Sequence, residues 1–360
     1  MNGVNQAMNN TLNFALIGCG VISPVHARSI SEIPGARLAA VCDIVEDKAR
    51  RLAAVYPADV YPDYRALLAR EDIDVIDVLT PSGLHAEIGV AAARAGKHVI
   101  VEKSMDITRG KADALIAACR KAGVKLGCIF QHRFDRAALE LKRTIDDGEL
   151  GCLNFGGAYT QWYRSPKYYG GDSWRGTWAL DGGGALINQS IHYIDLLQYF
   201  MGPVSEVHAY CARRVHDIEA EDTAVAVLRF ASGALGVIEG MTSAYPGFQS
   251  RLEIFGSAGG VVIEDDVIVN RNLGGQDIIS EPEAGRSIAG TSSKDIWHLS
   301  HKRQIEDMID AINEDRDPLV GGVEGRKALE IVLAIYESSR TGKPVSLQHD
   351  RSHDRRLNWG

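Results

Sequence analysis

No apolar run in the 360 residues approaches the ~20 consecutive residues that a membrane span needs, so no membrane partner is expected. Cysteine is sparse and unpatterned. Cys19, Cys42, Cys119, Cys128, Cys152 and Cys211 form no CxxC and accompany no histidine pair at metal spacing. Most lie in apolar contexts, which predicts small buried hydrophobes in a reducing cytoplasm and no metal site. Basic charge is not in excess either: 39 Lys+Arg against 47 Asp+Glu leave a formal charge of −8, which argues against a nucleic-acid partner. The opening MNGVNQAMNN lacks the basic start and apolar centre of a signal peptide, and residues 1–10 read as a disordered leader.

What is present is ordinary for a globular protein, with 45% hydrophobic and 24% charged residues. The length exceeds one ordinary core and predicts two domains. An apolar run, Leu12 to Ile17, turns at Gly18-Cys19-Gly20, and a helical pattern begins near Pro24. Such glycine turns gain meaning from context. A second strand, LAAVCD, ends at Asp43, 25 residues after Gly18, where an acid can accept bonds from the adenosine ribose and repel a 2′-phosphate. No arginine follows Asp43, so NAD is expected over NADP. Ser23 replaces the third glycine and is still small. A pyrophosphate would rest on the helix N-terminus beyond Gly20, against the backbone N–H groups of Val21 and Ile22.

Strands and helices then alternate to about Phe130, which predicts a doubly wound parallel sheet over residues 11–132. Ligands in such sheets lie beyond the carboxyl ends of the strands. Thr80, Pro81, Ser82 and His85 stand at one such end, and Glu102 and Lys103 at the next. From residue 133 to 347 the pattern becomes strands joined by short turns, a largely antiparallel sheet, with Arg271–Ser293 read as a mobile loop. Two helices follow, and the one at 323–340 is expected to pack back on the first domain. Residues 348–360 read as a polar tail.

Two stretches of the second domain carry chemistry. Tyr159–Trp178 holds four tyrosines and three tryptophans, Trp174 among them, with Arg164 and Arg175. Aromatic faces beside guanidinium groups suit a sugar ring with an anionic substituent, although an ordinary exposed loop has the same look. Then comes DGGGALINQSIHYID, Asp181 to Asp195, where Asn188 and His192 fall on one face of a helix behind three glycines. In isolation this pattern also fits a buried helix with a satisfied core histidine.

GCGVIS, Asp43, TPSGLH, EKS at Glu102–Ser104 and GGGALINQSIHYID together resemble the glucose–fructose oxidoreductase / inositol dehydrogenase / rhizopine-catabolism (Gfo/Idh/MocA) family from about Leu12 to Leu347. Within it the chain is most similar to UDP-N-acetyl-2-amino-2-deoxyglucuronate 3-dehydrogenases. The resemblance implies a Rossmann domain followed by an open, mostly antiparallel sheet domain that holds substrate and forms a homodimer or homotetramer. It implies NAD-dependent oxidation of a secondary sugar hydroxyl, with Lys103 of the E-K-P motif and His192 as catalytic residues and Asn188 positioning the sugar beside Arg164, Trp174 and Arg175. His192 would accept the proton and Lys103 stabilise the charge, although either can take the proton. Two departures stand out. The family proline is Ser104, so the loop is either rebuilt as trans or keeps a cis peptide; and many members carry an aspartate where this chain has Asn188. A neutral-sugar or inositol dehydrogenase, an NAD-dependent glycoside hydrolase and a non-catalytic regulator stay open as alternatives.

Overall fold

The computed structural model describes residues 11–170, 174–277 and 298–347. The expected leader, the expected tail and most of the polar stretch after Asp277 lie outside these residues. The first half runs β1 (Leu12–Ile17), α1 (Ser23–Ser31), β2 (Ala36–Cys42), α2 (Glu46–Val55), β3 (Asp59–Tyr61), α3 (Tyr64–Leu68) and β4 (Val75–Val78). It continues with α4 (His85–Arg94), β5 (His98–Val101), α5 (Arg109–Ala122), β6 (Leu126–Cys128) and α6 (Arg136–Asp146). Next come β7 (Leu153–Gln161), α7 (Pro166–Tyr169), a π-helical turn at Ala185–Ser190 and α8 (Ile191–Met201). The strands β8 (Val204–Ala212), β9 (Thr223–Phe230), β10 (Leu235–Met241), β11 (Arg251–Gly256), β12 (Gly259–Glu264), β13 (Val267–Leu273) and β14 (Gln276–Asp277) follow. Helices α9 (His298–Asn313) and α10 (Gly322–Thr341) and strand β15 (Val345–Ser346) complete the described chain.

Two compact units divide it. The first comprises Met1–Asp135, Thr177–Gly182 and Ser292–Leu329, and the second Arg136–Gly176, Gly183–Thr291 and Glu330–Gly360.

In the first unit six parallel strands pair in the order β3-β2-β1-β4-β5-β6. This is the doubly wound order whose direction reverses between β1 and β4. Both faces of such a sheet are covered, so its strands are buried without alternation, as in β4, where all four residues are buried. Local signals set the helices. Pro24 opens α1, Thr108 caps α5 through a bond from the Lys111 N–H, and α5 stops at Gly123 with φ +70°. Helix α9 joins this core, and the first unit also takes in the start of α10, as far as Leu329. On α9, Ile305, Met308 and Ile309 pack with Phe14, Leu16, Ile30 and Ile100. Amphipathic spacing marks the apolar stripe of a helix but not the core that receives it.

In the second unit nine strands pair in the order β14-β13-β12-β11-β7-β10-β9-β8-β15. Among the described residues β7 and β10 form the one parallel pair; the other pairs are antiparallel. β9 alternates buried and exposed residues, as a sheet with one open face requires. The covered face packs on α8: a Cβ at Gly156 of β7 would stand 2.8 Å from Leu197. On the open face Tyr210, Val225, Val227 and Leu235 are exposed neighbours. Arg271, expected to open a mobile loop, lies instead in β13 and pairs with Glu140 and Glu149 at 2.6 and 3.2 Å. Its hydrophilic neighbours sit in a strand next to the sheet edge, where side chains of a two-sided polar pattern give little periodic signal. Of the cysteines, Cys152 is exposed and Cys211 half-buried; the other four are buried as expected.

Candidate active site

In the first unit the candidate residues begin at the β1–α1 turn. Gly18 has φ +104°, and a Cβ there would approach the Leu79 carbonyl oxygen to 2.7 Å, so only glycine serves. At Gly20 a Cβ would meet nothing within 4 Å, leaving open space at the helix entrance. Ser23, standing where a third glycine is usual, donates its hydroxyl to the Gly20 carbonyl at 2.8 Å and so braces the turn. Ile22 at the N-cap offers no side-chain acceptor, and Val21 is exposed. Backbone N–H groups and the helix dipole are thus presented to an anion, which fits a dinucleotide pyrophosphate.

Asp43 follows β2. One carboxylate oxygen accepts the Cys19 N–H and the other the Val45 N–H, each at 2.8 Å. Two backbone donors therefore fix its direction, as a ribose-binding acid requires. Just beyond β4 the buried Thr80 hydroxyl has no hydrogen-bond partner among the described residues, and a ligand group can satisfy it. Pro81 is half-buried and Ser82 buried, opening a short 3₁₀ turn. His85 is engaged differently from the expected cofactor contact. It is buried, and its Nδ1 and Nε2 each lie 2.7 Å from a carbonyl oxygen, of Ser104 and Thr80 respectively. The ring ties the loops after β4 and β5 together. Burial pushes its pKa down, and a neutral ring donates to only one of the two carbonyls.

Glu102 and Lys103 follow β5 directly, and the Lys103–Ser104 peptide is cis, which answers the question left by Ser104. Glu102 is buried; Oε2 accepts the Lys103 backbone N–H at 3.0 Å and Oε1 faces His26 Nε2 at 3.1 Å.

In the second unit the glycine-rich turn leads into the π-helical Ala185–Ser190 and then α8. Asn188 sits half-buried in the π turn and His192 half-buried in the first turn of α8. A π turn inside a helix commonly marks a functional position, because it shifts the direction of the side chains that follow. The turn is held by Glu221, which sequence reasoning did not single out. Its carboxylate accepts the Gly184 and Leu186 N–H groups at 3.1 and 2.8 Å and the Tyr336 hydroxyl at 3.0 Å. A Cβ at Gly184 would collide with the Glu221 carbonyl oxygen, which explains that glycine. Burial pushes the Glu221 pKa up to about 7, against the pull of these donors. Asp195 is buried within α8.

The aromatic stretch folds beside this turn. Arg164 lies over Trp162 and Tyr168, with its guanidinium carbon 4.8 and 5.3 Å from their ring centres, and Nη2 donates to Gln189 Oε1 at 2.9 Å. Arg175 lies over Tyr168 and Trp174 at 4.7 and 5.3 Å. Among the described residues Arg164 Nε is buried without a hydrogen-bond partner, and no carboxylate pairs with this guanidinium. Burial pushes its pKa down. Of the two acids, Asp172 and Asp181, whose pairing would make Arg164 and Arg175 loop braces instead, Asp172 lies outside the described residues and Asp181 is buried.

A profile for an oxidoreductase family with an NAD-binding Rossmann fold, GFO/IDH/MocA, matches residues 12–130, and one for the GFO/IDH/MocA C-terminal domain matches residues 138–262. The chain is 30% identical to the uncharacterized oxidoreductase YrbE of Bacillus subtilis, covering 95% of this chain and 98% of that one. It is 29% identical to a myo-inositol 2-dehydrogenase of Thermotoga maritima, covering 94% and 99%. Among solved structures, the WlbA dehydrogenase of Bordetella pertussis in complex with NADH and UDP-GlcNAcA superposes with a TM-score of 0.85 at 32% identity, covering 95% and 99%. Among the described residues no helix is long and apolar enough to cross a membrane.

Proposed function

Because the chain belongs to the GFO/IDH/MocA family of NAD-dependent oxidoreductases, we propose that it oxidises a secondary hydroxyl of an acidic nucleotide sugar, C3 of a UDP-linked N-acetylhexosaminuronate. The observation that carries the acidic substrate is Arg164. A half-buried guanidinium with no carboxylate partner among the described residues and an unsatisfied Nε is costly unless a ligand anion completes it. Its planar fork suits the carboxylate of a uronate, and the rings of Trp162 and Tyr168 hold it in place. The solved relative that carries UDP-GlcNAcA supports the same substrate class.

The reaction needs a group to take the hydroxyl proton and another to stabilise the negative charge that develops on oxygen. His192 takes the proton, since an imidazole titrates in the working range. Lys103 donates a charge-assisted hydrogen bond to the same oxygen. Asn188 orients the sugar; an amide accepts and donates hydrogen bonds but does not remove a proton. NAD, when bound at the β1–α1 turn, supplies the hydride acceptor. A reducing cytoplasm suits the free thiols. A second copy of the chain would cover the exposed Tyr210, Val225, Val227 and Leu235 on the open sheet face. A second reading, a neutral polyol substrate, is favoured by the inositol dehydrogenase relative.

The two readings separate on charge. KM is measured for UDP-N-acetylglucosaminuronate and for UDP-N-acetylglucosamine in the wild type and in Arg164→Ala. Loss of a charge-assisted bond, roughly 1.5–3 kcal/mol, should raise KM for the acid about tenfold or more and leave the neutral sugar little changed. Arg164→Lys should rescue poorly. A wild type that does not prefer the acid, or a variant that loses both substrates alike, points to the neutral polyol.

A further inference from the structure

Beneath Lys103 lies an ion network that no sequence motif announced. His26 of α1 is fully buried, and each of its ring nitrogens faces a carboxylate: Nδ1 is 2.7 Å from Asp77 Oδ2, and Nε2 is 3.1 Å from Glu102 Oε1. A neutral imidazole has one N–H and would turn a lone pair toward one of these anions, whereas the doubly protonated ring donates to both. His301 of α9 closes a further side. Its Nε2 lies 4.0 Å from Glu102 Oε1, and its ring stands edge-on to His26 with centroids 5.2 Å apart. Among the described residues Asp77 Oδ1 has no hydrogen-bond partner, so the Asp77 carboxylate depends on His26 for its counter-charge.

Electrostatics agree with the geometry. Burial opposes charge on His26, but Asp77 and then Glu102 prevail and push its pKa up to about 10. Burial also works against the Glu102 anion, yet His26, with His301 and Lys103 adding to it, brings that carboxyl down to about 2. Two carboxylates shielded from water do not both stay ionised without a cation between them.

We propose that His26, as a buried imidazolium bridging Asp77 and Glu102, is a positioning residue for Lys103: it keeps Glu102 ionised and aimed at the Lys103 backbone N–H. The idea rests on the reading of Lys103 as the group that stabilises charge on the substrate oxygen. Its reach is specific. Glu102 uses Oε2 on Lys103 and Oε1 on His26, so one carboxylate links the histidine to the lysine with no intervening side chain. His26, Glu102 and His301 also lie close enough to share a metal ion. The His26 nitrogen that would bind it already faces Glu102, and the network is complete as a set of charges.

The test uses the NAD-loaded full chain. Histidine-selective ¹⁵N NMR should show both His26 nitrogens protonated at pH 7.5 and above, with the resonances assigned by through-bond correlation to the His26 backbone and checked by their loss in His26→Gln. A neutral tautomer at pH 7.5, or a stoichiometric metal in the purified protein, overturns the proposal. In the Glu102→Gln variant the ring, with one counter-charge fewer, should deprotonate at lower pH; an unchanged titration overturns it too, and this arm stands even where His26→Gln does not fold. Turnover of UDP-N-acetylglucosaminuronate is followed in parallel. His26→Gln should lower kcat about tenfold or more while NADH affinity and KM hold. Its kcat should also acquire a new loss of activity on the acid side, as Glu102 without its cation takes up a proton, and that limb should vanish in His26→Gln/Glu102→Gln. A wild-type pH profile, or a parallel loss of kcat, KM and NADH affinity, assigns His26 a packing role only. Lys103→Ala with undiminished kcat removes the reading of Lys103 instead, a failure the NMR titration does not share.

Discussion

At the scale of single residues, the acid proposed to hold the cofactor ribose is the most explicit. Asp43 holds its carboxylate by two backbone N–H groups before any ligand arrives, so little ordering is left for binding. NAD should therefore bind more tightly than NADP, and Asp43→Ala should narrow the gap by about 1–3 kcal/mol, the size of a lost charged hydrogen bond. Calorimetry of both dinucleotides checks this; equal affinities in the wild type would place the ribose elsewhere. Asp43, Glu102 and Lys103 were legible because each follows an apolar strand, where a charge must face a strand end. His26, Asp77 and Glu221 were not. An acid within the strand VIDV or a histidine on a helix gives no hint of its partner when that partner lies 51 residues away, as with Asp77 and His26. Sequence spacing speaks of neighbours on one element, whereas these pairs are made by the order of strands.

At the scale of elements, the glycine-rich turn and α8 form the unit that carries Asn188 and His192. The sequence disclosed the helix by its periodic leucines and isoleucines. It did not disclose that the first turn is π-helical, since that depends on Glu221 taking the Gly184 and Leu186 N–H groups. Strand β13 was missed for a related reason: a half-exposed polar strand lacks the alternation that a covered face imposes. Glu221 makes the turn sensitive to pH. Its folded pKa of about 7 lies above the ordinary carboxylate value of 4.5, so the folded state holds the extra proton. Its contribution to stability therefore falls as pH rises from 4.5 through 7 and is level beyond. Glu221→Gln, which cannot ionise, should gain on the wild type over that interval by roughly 3 kcal/mol at most. Denaturant unfolding of both proteins at pH 5 and pH 8 measures it. A difference that does not change with pH means that Glu221 is ionised throughout.

At the scale of the whole molecule, the chain holds two different sheets, and both kinds were legible in the sequence because their patterns differ: continuous in the parallel sheet, alternating in the other. The assignment of α9 to the first unit was beyond it, since that helix returns to the core after more than a hundred residues spent in the second. The open face of the second sheet makes an assembly prediction. Val227→Glu, at an exposed site opposite Val237 on β10, should leave the fold intact and shift sedimentation toward the monomer. A wild type that already sediments as a monomer would leave that face to another use.

The central claim is that Lys103 and His192 serve hydride transfer from a sugar carbon to a dinucleotide that then leaves. UDP-N-acetylglucosaminuronate deuterated at C3 is incubated with NAD, and the released NADH is isolated and weighed by mass spectrometry. Deuterium should appear in free NADH in proportion to the keto sugar formed, and His192→Ala should suppress both together. Deuterium retained in the sugar, or returned to it without free NADH, would contradict the account and favour a transient oxidation that ends in another reaction.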